Sequence, residues 1–217
     1  MKNVAIIDFK MGNLFSVNQA CVNVGLKPTI TSDREIINNA DALILPGVGS
    51  FGEAMKNLHE LDIVETIKEN IASSKPFLGI CLGFQLLFSE SEEFGNTKGL
   101  DIFKGRVKKF NYKNKGYSKT KIPQIGWNNI LPYDNKKWNN SFLSGIRFSE
   151  YMYFIHSFFV ECNELNIILT TTEYEGFEYC SSIESKNLFA SQFHPEKSAV
   201  EGLKIYYNFA KIINVRD

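Results

Sequence analysis

Histidine is scarce in this 217-residue chain, at three residues, and cysteine, at four, is hardly commoner. The cysteines, at positions 21, 81, 162 and 180, have neither the density nor the spacing of a disulfide scaffold, and no Cys-x-x-Cys pair marks a zinc site. They read as free thiols. An excess of charge is missing too. Lys+Arg and Asp+Glu stand at 24 each, which leaves the whole molecule no electrostatic reason to seek nucleic acid or an anionic membrane. No stretch approaches the ~20 apolar residues of a spanning helix. The opening MKNVAIIDF runs from one lysine into a strand-like segment too short for a signal-peptide core, so a cytoplasmic protein is expected. Repeats, low-complexity segments and linkers are absent. Residues 1–217, 44% of them hydrophobic, therefore read as one domain with a sizeable core.

Short apolar runs alternate with helical patterns through the first half: VAIIDF (4–9), LFSVNQACVNVG (14–25), PTIT (28–31), DALILPG (41–47), a helical stretch from about Ser50 to Ser73, and PFLGIC (76–81) leading into FQLLFSE. Such alternation predicts an α/β fold, a mostly parallel sheet with helices on both faces and ligands at its strand ends. From about Lys104 strands dominate: YMYFIHSFFV (151–160), IILTTTEY (167–174), FEYCSSIE (177–184) and LFASQF (188–193), before a final helix from about Ala199 to Ile213. Strands in succession predict an antiparallel extension of the same sheet.

Within FLGICLGFQLLF (77–88) a cysteine interrupts an apolar run, with glycines two before and two after it. A nucleophile on a tight strand-to-helix turn needs absent side chains around it and a helix N-terminus aimed at it. Gly79 and Gly83 supply that room around Cys81. The N–H of Leu82 would face the oxyanion formed when Cys81 attacks a carbonyl, and the glycine-rich LPGVGSFGEA (45–54) offers Val48 or Gly49 as a second donor. The competing reading is that Gly-x-Cys-x-Gly merely packs a helix close to a strand.

A thiolate mechanism needs a base. His194, in ASQFHPEKS, follows an apolar strand, and Pro195 biases it toward extended backbone. Residues two apart in extended chain face the same way, so Glu196 is expected to orient the His194 ring and complete a Cys-His-acid triad. His59, on a polar helix, reads as a surface residue, and His156, in YMYFIHSFF, as either core or site-lining. Cys21, Cys162 and Cys180 read as packing residues.

PGVGSF, LGICLGFQLLF and QFHPEKS, in that order and separation, resemble the class I (triad) glutamine amidotransferases over essentially the whole chain. Within that family, IIDFKMGNLFSV, IPQIGWN (122–128) and YFIHSF (153–158) are most similar to the glutaminase (HisH) subunits of imidazole glycerol phosphate synthase. The resemblance implies that L-glutamine is hydrolysed to glutamate and ammonia. It implies further that the ammonia passes, within a heterodimer, into a (β/α)8-barrel cyclase subunit that makes imidazole glycerol phosphate and AICAR in histidine biosynthesis. No metal or organic cofactor is needed. By the same resemblance Gln85 and the Ser157-Phe158 backbone bind the amino-acid end of glutamine, with Glu93 approaching its ammonium. The chain departs from the family at Gln124, where histidine is frequent, and at Phe9-Lys10, where Tyr-Gly is frequent. Two alternatives stay open: a paralogous subunit feeding ammonia to a sugar-modifying amidotransferase of surface-glycan pathways, and a non-catalytic paralogue, against which the intact triad argues.

From Ile102 to Tyr133 the chain has no acidic residue but carries Lys104, Arg106, Lys108, Lys109, Lys113, Lys115, Lys119 and Lys121, running into a motif that contains Trp127. Such a block is either a solvated face or, with Trp127, a docking surface for the barrel subunit.

Overall fold

The computed structural model describes residues 1–110 and 121–214. Strands β1 (Asn3–Ile7), β2 (Lys27–Thr31), β3 (Ala42–Gly47) and β4 (Phe77–Cys81) alternate with helices α1 (Leu14–Asn23), α2 (Arg34–Asn39), α3 (Phe51–Glu60) and α4 (Val64–Ala72), and a one-turn helix α5 (Leu82–Leu86) follows β4. Then come β5 (Phe88–Ser91), β6 (Thr97–Lys98), β7 (Phe103–Lys109), β8 (Gln124–Pro132), α6 (Asn135–Trp138), β9 (Glu150–His156) and β10 (Phe158–Cys162). The chain ends with β11 (Ile168–Tyr174), β12 (Phe177–Ser185), β13 (Leu188–Ser191) and α7 (Ala199–Asn214).

These strands form one 13-stranded sheet whose main path is β2-β1-β3-β4-β13-β12-β10-β7-β5-β6, with β11, β8 and β9 branching from β12. The first five strands on the path are mutually parallel, and β12, β10 and β7 continue it antiparallel. Every residue of β3 and β4 is buried, because helices cover both faces of the parallel part. Alternation divides those side chains between two cores. Val4, Ile6, Ala42 and Ile44 face the core completed by α1 and α7, whereas Ala5, Ile7, Leu43 and Leu45 face the core completed by α3 and α4.

The expected helical stretch from Ser50 to Ser73 is two helices. Asp62 takes φ 52° between them, and its carboxylate holds Arg34 at 2.6 Å, so the chain turns at a point where a straight helix would leave the sheet. Helix α2, not read from the sequence, starts on a side-chain cap: Asp33 accepts from the Glu35 and Ile36 N–H groups at 2.8 and 3.1 Å. The run 151–160 is two strands broken at Ser157. LFASQF joins the antiparallel extension to the parallel part: β13 pairs antiparallel with β12 and, unexpectedly, parallel with β4, Leu188 opposite Phe77 and Ser191 opposite Ile80. This return brings two segments more than a hundred residues apart to the same carboxyl end of the sheet.

The cationic block resolves into a paired strand face. Lys104 meets Asp101 at 2.8 Å, Lys108 meets Glu161 at 2.7 Å, and Arg106 pairs with Glu90. Lys113, Lys115 and Lys119 lie outside the described residues. Three of the five described cations of the block are thus paired with acids on neighbouring strands and turns, as a solvated face would be.

Glu184, on β12, is the acid least at home in its surroundings. Burial raises its pKa from 4.5 to about 7, against the partial compensation of the Phe142 N–H at 3.2 Å and of Lys137. Between pH 4.5 and 7 the folded chain therefore holds a proton that the unfolded chain has lost, so the group's contribution to stability declines as pH rises through that window. Glu184→Gln keeps an acceptor for Phe142 N–H and removes the titration. It is expected to raise the thermal midpoint by a few degrees at pH 8, with the gain shrinking toward zero by pH 5. Melting curves at both pH values check this; a pH-independent difference would contradict it.

Candidate active site

Cys81 ends β4 and stands at φ 55°, ψ −105°, a backbone region that costs a non-glycine residue about 1–3 kcal/mol. The following helix, α5, spans only five residues, so the expected helix field on the sulfur is that of a single turn. The flanking glycines serve close packing as much as access. A Cβ on Gly83 would lie 1.8 Å from the Leu45 carbonyl oxygen of β3, and one on Gly79 would lie 2.9 Å from the Ala190 Cβ of β13. The close-packing reading of the Gly-x-Cys-x-Gly pattern therefore holds: the elbow presses against two strands because neither glycine carries a side chain.

His194 follows β13 with extended backbone, φ −103° and ψ 95°. Its N–H donates to Tyr153 O at 2.9 Å, its carbonyl accepts from Ser198 Oγ at 2.6 Å, and Ser198 Oγ accepts from Tyr153 N–H at 3.0 Å. The loop is thereby tied to β9. Glu196 Oε1 lies 2.8 Å from His194 Nδ1, with both side chains almost wholly buried. The geometric reason differs from the expected one. Pro195–Lys197 is a 3-10 turn, not extended chain, and it is the turn that swings the carboxylate back to the ring. With Nδ1 engaged, His194 Nε2 is buried and has no hydrogen-bond partner among the described residues. Burial opposes a charge on this ring, but Cys81 and then Glu196 outweigh it, and the His194 pKa is raised.

An open cleft of about 280 Å³ lies over these groups, lined by Val48, Gly49, Cys81, Leu82, Gln85, Glu93, Pro123, Ile155, His156, Ser157 and Phe158. Its size suits a ligand of amino-acid dimensions. Every residue singled out from the sequence for oxyanion or substrate contact lies on its wall, while His194, close enough to Cys81 to be affected by it, and Glu196 do not. Among the described residues no group of three or more His, Cys, Asp or Glu side chains could hold a metal ion, and no helix is long and apolar enough to cross a membrane.

The profile of the family described as glutamine amidotransferase class-I matches residues 5–213. The chain belongs to the class-I glutamine amidotransferase family. Among curated proteins it is 47% identical over 210 residues to the imidazole glycerol phosphate synthase subunit HisH of Caldanaerobacter subterraneus subsp. tengcongensis, covering 97% of this chain and 98% of that one. It is 45% identical to the HisH subunit of Aquifex aeolicus, with 95% of each chain covered, and 42% identical to that of Sulfurimonas denitrificans, with 98% and 100% covered. Two solved structures share its fold. One is PurLQS from Thermotoga maritima, with TM-score 0.71, 18% identity and 98% of this chain and 99% of that chain covered. The other, described as a glutamine amidotransferase, has TM-score 0.71 and 16% identity, with 97% and 98% covered.

In this amidotransferase Gln85 is buried, 5% exposed, on the cleft wall. Its Nε2 donates to Phe158 O at 3.0 Å and to Gln192 Oε1 at 2.9 Å. Glu93 reaches the cleft wall with one carboxylate oxygen already accepting from Phe51 N–H at 2.7 Å, where it caps α3. His156 is both core and site-lining. Its Nδ1 lies 2.8 Å from Phe158 O, its Nε2 lies 3.2 Å from the Tyr179 hydroxyl, and burial lowers its pKa to about 3. It stays neutral at working pH and supports the cleft floor without titrating. His59 is exposed, Cys21 and Cys180 are buried, and Cys162 is half-buried. Gln124 is buried beside Tyr179, whose hydroxyl donates to its Oε1 at 2.9 Å. Lys10 adopts φ 67°, a conformation natural to the glycine frequent there in the family. Sequence reasoning missed Gln192, whose side chain touches both Gln85 and Cys81. It stands inside the QFHPEKS motif, but an apolar strand context disguises it.

Proposed function

We propose that this amidotransferase is the glutaminase subunit of an imidazole glycerol phosphate synthase, acting in the cytoplasm as one domain over residues 1–217. The observation that carries the reading is the Cys81 elbow beside the buried His194–Glu196 pair, 2.8 Å apart, beneath an amino-acid-sized cleft. The HisH names of relatives above 40% identity over nearly the full chain support the choice within the family.

In this reading the Cys81 thiolate adds to the side-chain carbonyl carbon of L-glutamine, and the Leu82 N–H with that of Val48 or Gly49 holds the oxyanion. His194 passes its Nε2 proton to the departing ammonia, leaving a γ-glutamyl thioester. Water then attacks the thioester, gives its proton to His194, and releases glutamate and the thiolate. Glu196 keeps the ring in the tautomer and orientation that both transfers need. Gln85, the Ser157-Phe158 backbone and Glu93 bind the amino-acid end. Ammonia passes to a (β/α)8-barrel cyclase subunit.

The docking surface follows from exposed apolar area, not from charge. On the β8–β9 pair, Ile125 lies opposite Ile155 and Trp127 opposite Tyr153, and their shared face leaves Trp127 52% and Ile125 59% exposed. Ile155 also lines the cleft, so a partner covering this face would meet the site's mouth. Trp127→Ala is expected to weaken the complex by about 2 kcal/mol, roughly 30-fold in Kd, and to reduce partner-stimulated activity. Reversing the paired Lys104 or Lys108 should matter far less.

The deciding experiment measures glutamine hydrolysis by the subunit alone, with the barrel cyclase and its ligand, and with the synthase subunit of a sugar-modifying amidotransferase. Stimulation by the cyclase is expected. Stimulation by the sugar-modifying partner alone would reassign the acceptor, and absence of hydrolysis in every pairing would overturn the enzymatic reading.

A further inference from the structure

The carboxamide of Gln192 lies fully buried behind the cleft wall, its backbone N–H held by Ser181 O at 2.8 Å. Its Nε2 is 3.6 Å from Cys81 Sγ, and its Oε1 accepts from Gln85 Nε2 at 2.9 Å. The polarity of this chain of groups is forced from one end. Phe158 O can only accept, so the Gln85 end beside it, at 3.0 Å, must be the NH2 group. The remaining N–H of that group then requires an acceptor, which makes the facing atom of Gln192 its oxygen. The Gln192 NH2 is left to point at sulfur. The Ile155 carbonyl, 3.9 Å from the same sulfur, can accept only from a protonated thiol. Cys81 thus has both an acceptor that suits S–H and a donor that suits S⁻. Donation to a charged acceptor is roughly twice as strong as donation to a neutral one, so the amide's hold on the sulfur tightens when the proton leaves.

We infer that Gln192 is a positioning residue for the nucleophile, holding the Cys81 sulfur and favouring its thiolate through an amide whose orientation is set by Gln85. The inference rests on the proposed role of Cys81 and deepens it. Gln85 lines the cleft and Gln192 does not, so a residue on the substrate wall is joined to the reacting sulfur through one buried side chain. A disturbance at Gln85 is therefore felt at the thiol.

The test follows the rate of Cys81 alkylation by iodoacetamide against pH, located by mass spectrometry, in the full chain. Steady-state glutamine hydrolysis is measured with the cyclase partner. Gln192→Met removes the donor at similar volume. Its alkylation midpoint is expected to move to higher pH by about one unit, and kcat to fall about tenfold with KM little changed, the effect of one hydrogen bond to a charged group. Gln192→Glu keeps an acceptor for Gln85 and is the second variant should Gln192→Met fail to fold; its carboxylate faces the sulfur and should move the midpoint further. Gln85→Met should move it in the same direction, and adding it to Gln192→Met should produce no additional shift. Wild-type alkylation profiles in the folded Gln192 variants would overturn the inference. That failure is distinct from failure of the nucleophile assignment, which would show as glutamine hydrolysis surviving in Cys81→Ser.

Discussion

Cys81→Ser is expected to reduce glutamine-dependent synthesis by at least about 10³-fold while leaving the partner subunit able to use added ammonium salt. A serine hydroxyl in the same position keeps the volume but gives up the readily formed anion, and its neighbourhood is built for one. His194 shows this most directly: burial should depress its charged form, yet the pKa is raised because Cys81 and Glu196 favour the imidazolium. A histidine raised in this way contributes stability that is fully present below its unfolded value of 6.5 and is lost as pH rises through the folded value. Replacing Cys81 removes the first of those favourable partners. In Cys81→Ser the His194 ring should therefore titrate at lower pH than in wild type, a shift that imidazole NMR resonances would record. Replacing His194 should be nearly as damaging as replacing Cys81, because two proton transfers pass through it. Replacing Glu196 should cost less, since the ring loses its orienter but the His194 backbone keeps its place through its bonds to Tyr153 and Ser198. Glutaminase turnover near the wild-type rate in Cys81→Ser would place the nucleophile elsewhere.

Much of this arrangement is legible from local sequence because its determinants are local. The alternation of VAIIDF, PTIT, DALILPG and PFLGIC with helical segments reports strands buried on both faces, and the glycines around Cys81 report backbone contact that admits no side chain. His194 and Glu196 are two residues apart, so their pairing needed only a turn. What escaped is long-range. The parallel pairing of β13 with β4 brings His194 and Cys81 to the same end of the sheet, and nothing in LFASQF distinguishes a parallel strand from an antiparallel one. Gln192 lies 111 positions from the sulfur it touches, and a buried glutamine at the end of an apolar strand has no periodic signature. The partners of the cationic block were hidden for the same reason: Glu90 and Glu161, which pair with Arg106 and Lys108, come from other strands. Short-range breaks such as Asp62 were hidden by good helix formers on either side.

Gly83→Ala is the substitution expected to damage both the fold and the chemistry. Its new Cβ would stand 1.8 Å from Leu45 O and 2.7 Å from Leu45 C, backbone atoms of β3, which is buried at every position and paired on both edges. No flexible side chain can yield. Either β3 shifts within the sheet or α5 lifts away from it, and the overpacking should cost about 3 kcal/mol, the upper end of the usual range. For a chain of this size that is a fall of roughly 6–12 °C in the thermal midpoint. Lifting α5 also carries the Leu82 N–H away from the cleft and relaxes the strained backbone at Cys81, so glutamine hydrolysis should fall further than the loss of folded protein explains. Gly79→Ala provides the graded comparison: its Cβ would meet the Ala190 Cβ at 2.9 Å, a contact that a small adjustment between β4 and β13 relieves, and the cost should be nearer 1 kcal/mol. Gly95→Ala is the control for backbone conformation without crowding, because φ there is 121° and no atom lies within 4 Å of a new Cβ. If thermal melts ranked Gly83→Ala no lower than Gly95→Ala, the elbow would not be set by its approach to β3. The glycine at 83 would then be serving access to Cys81 alone.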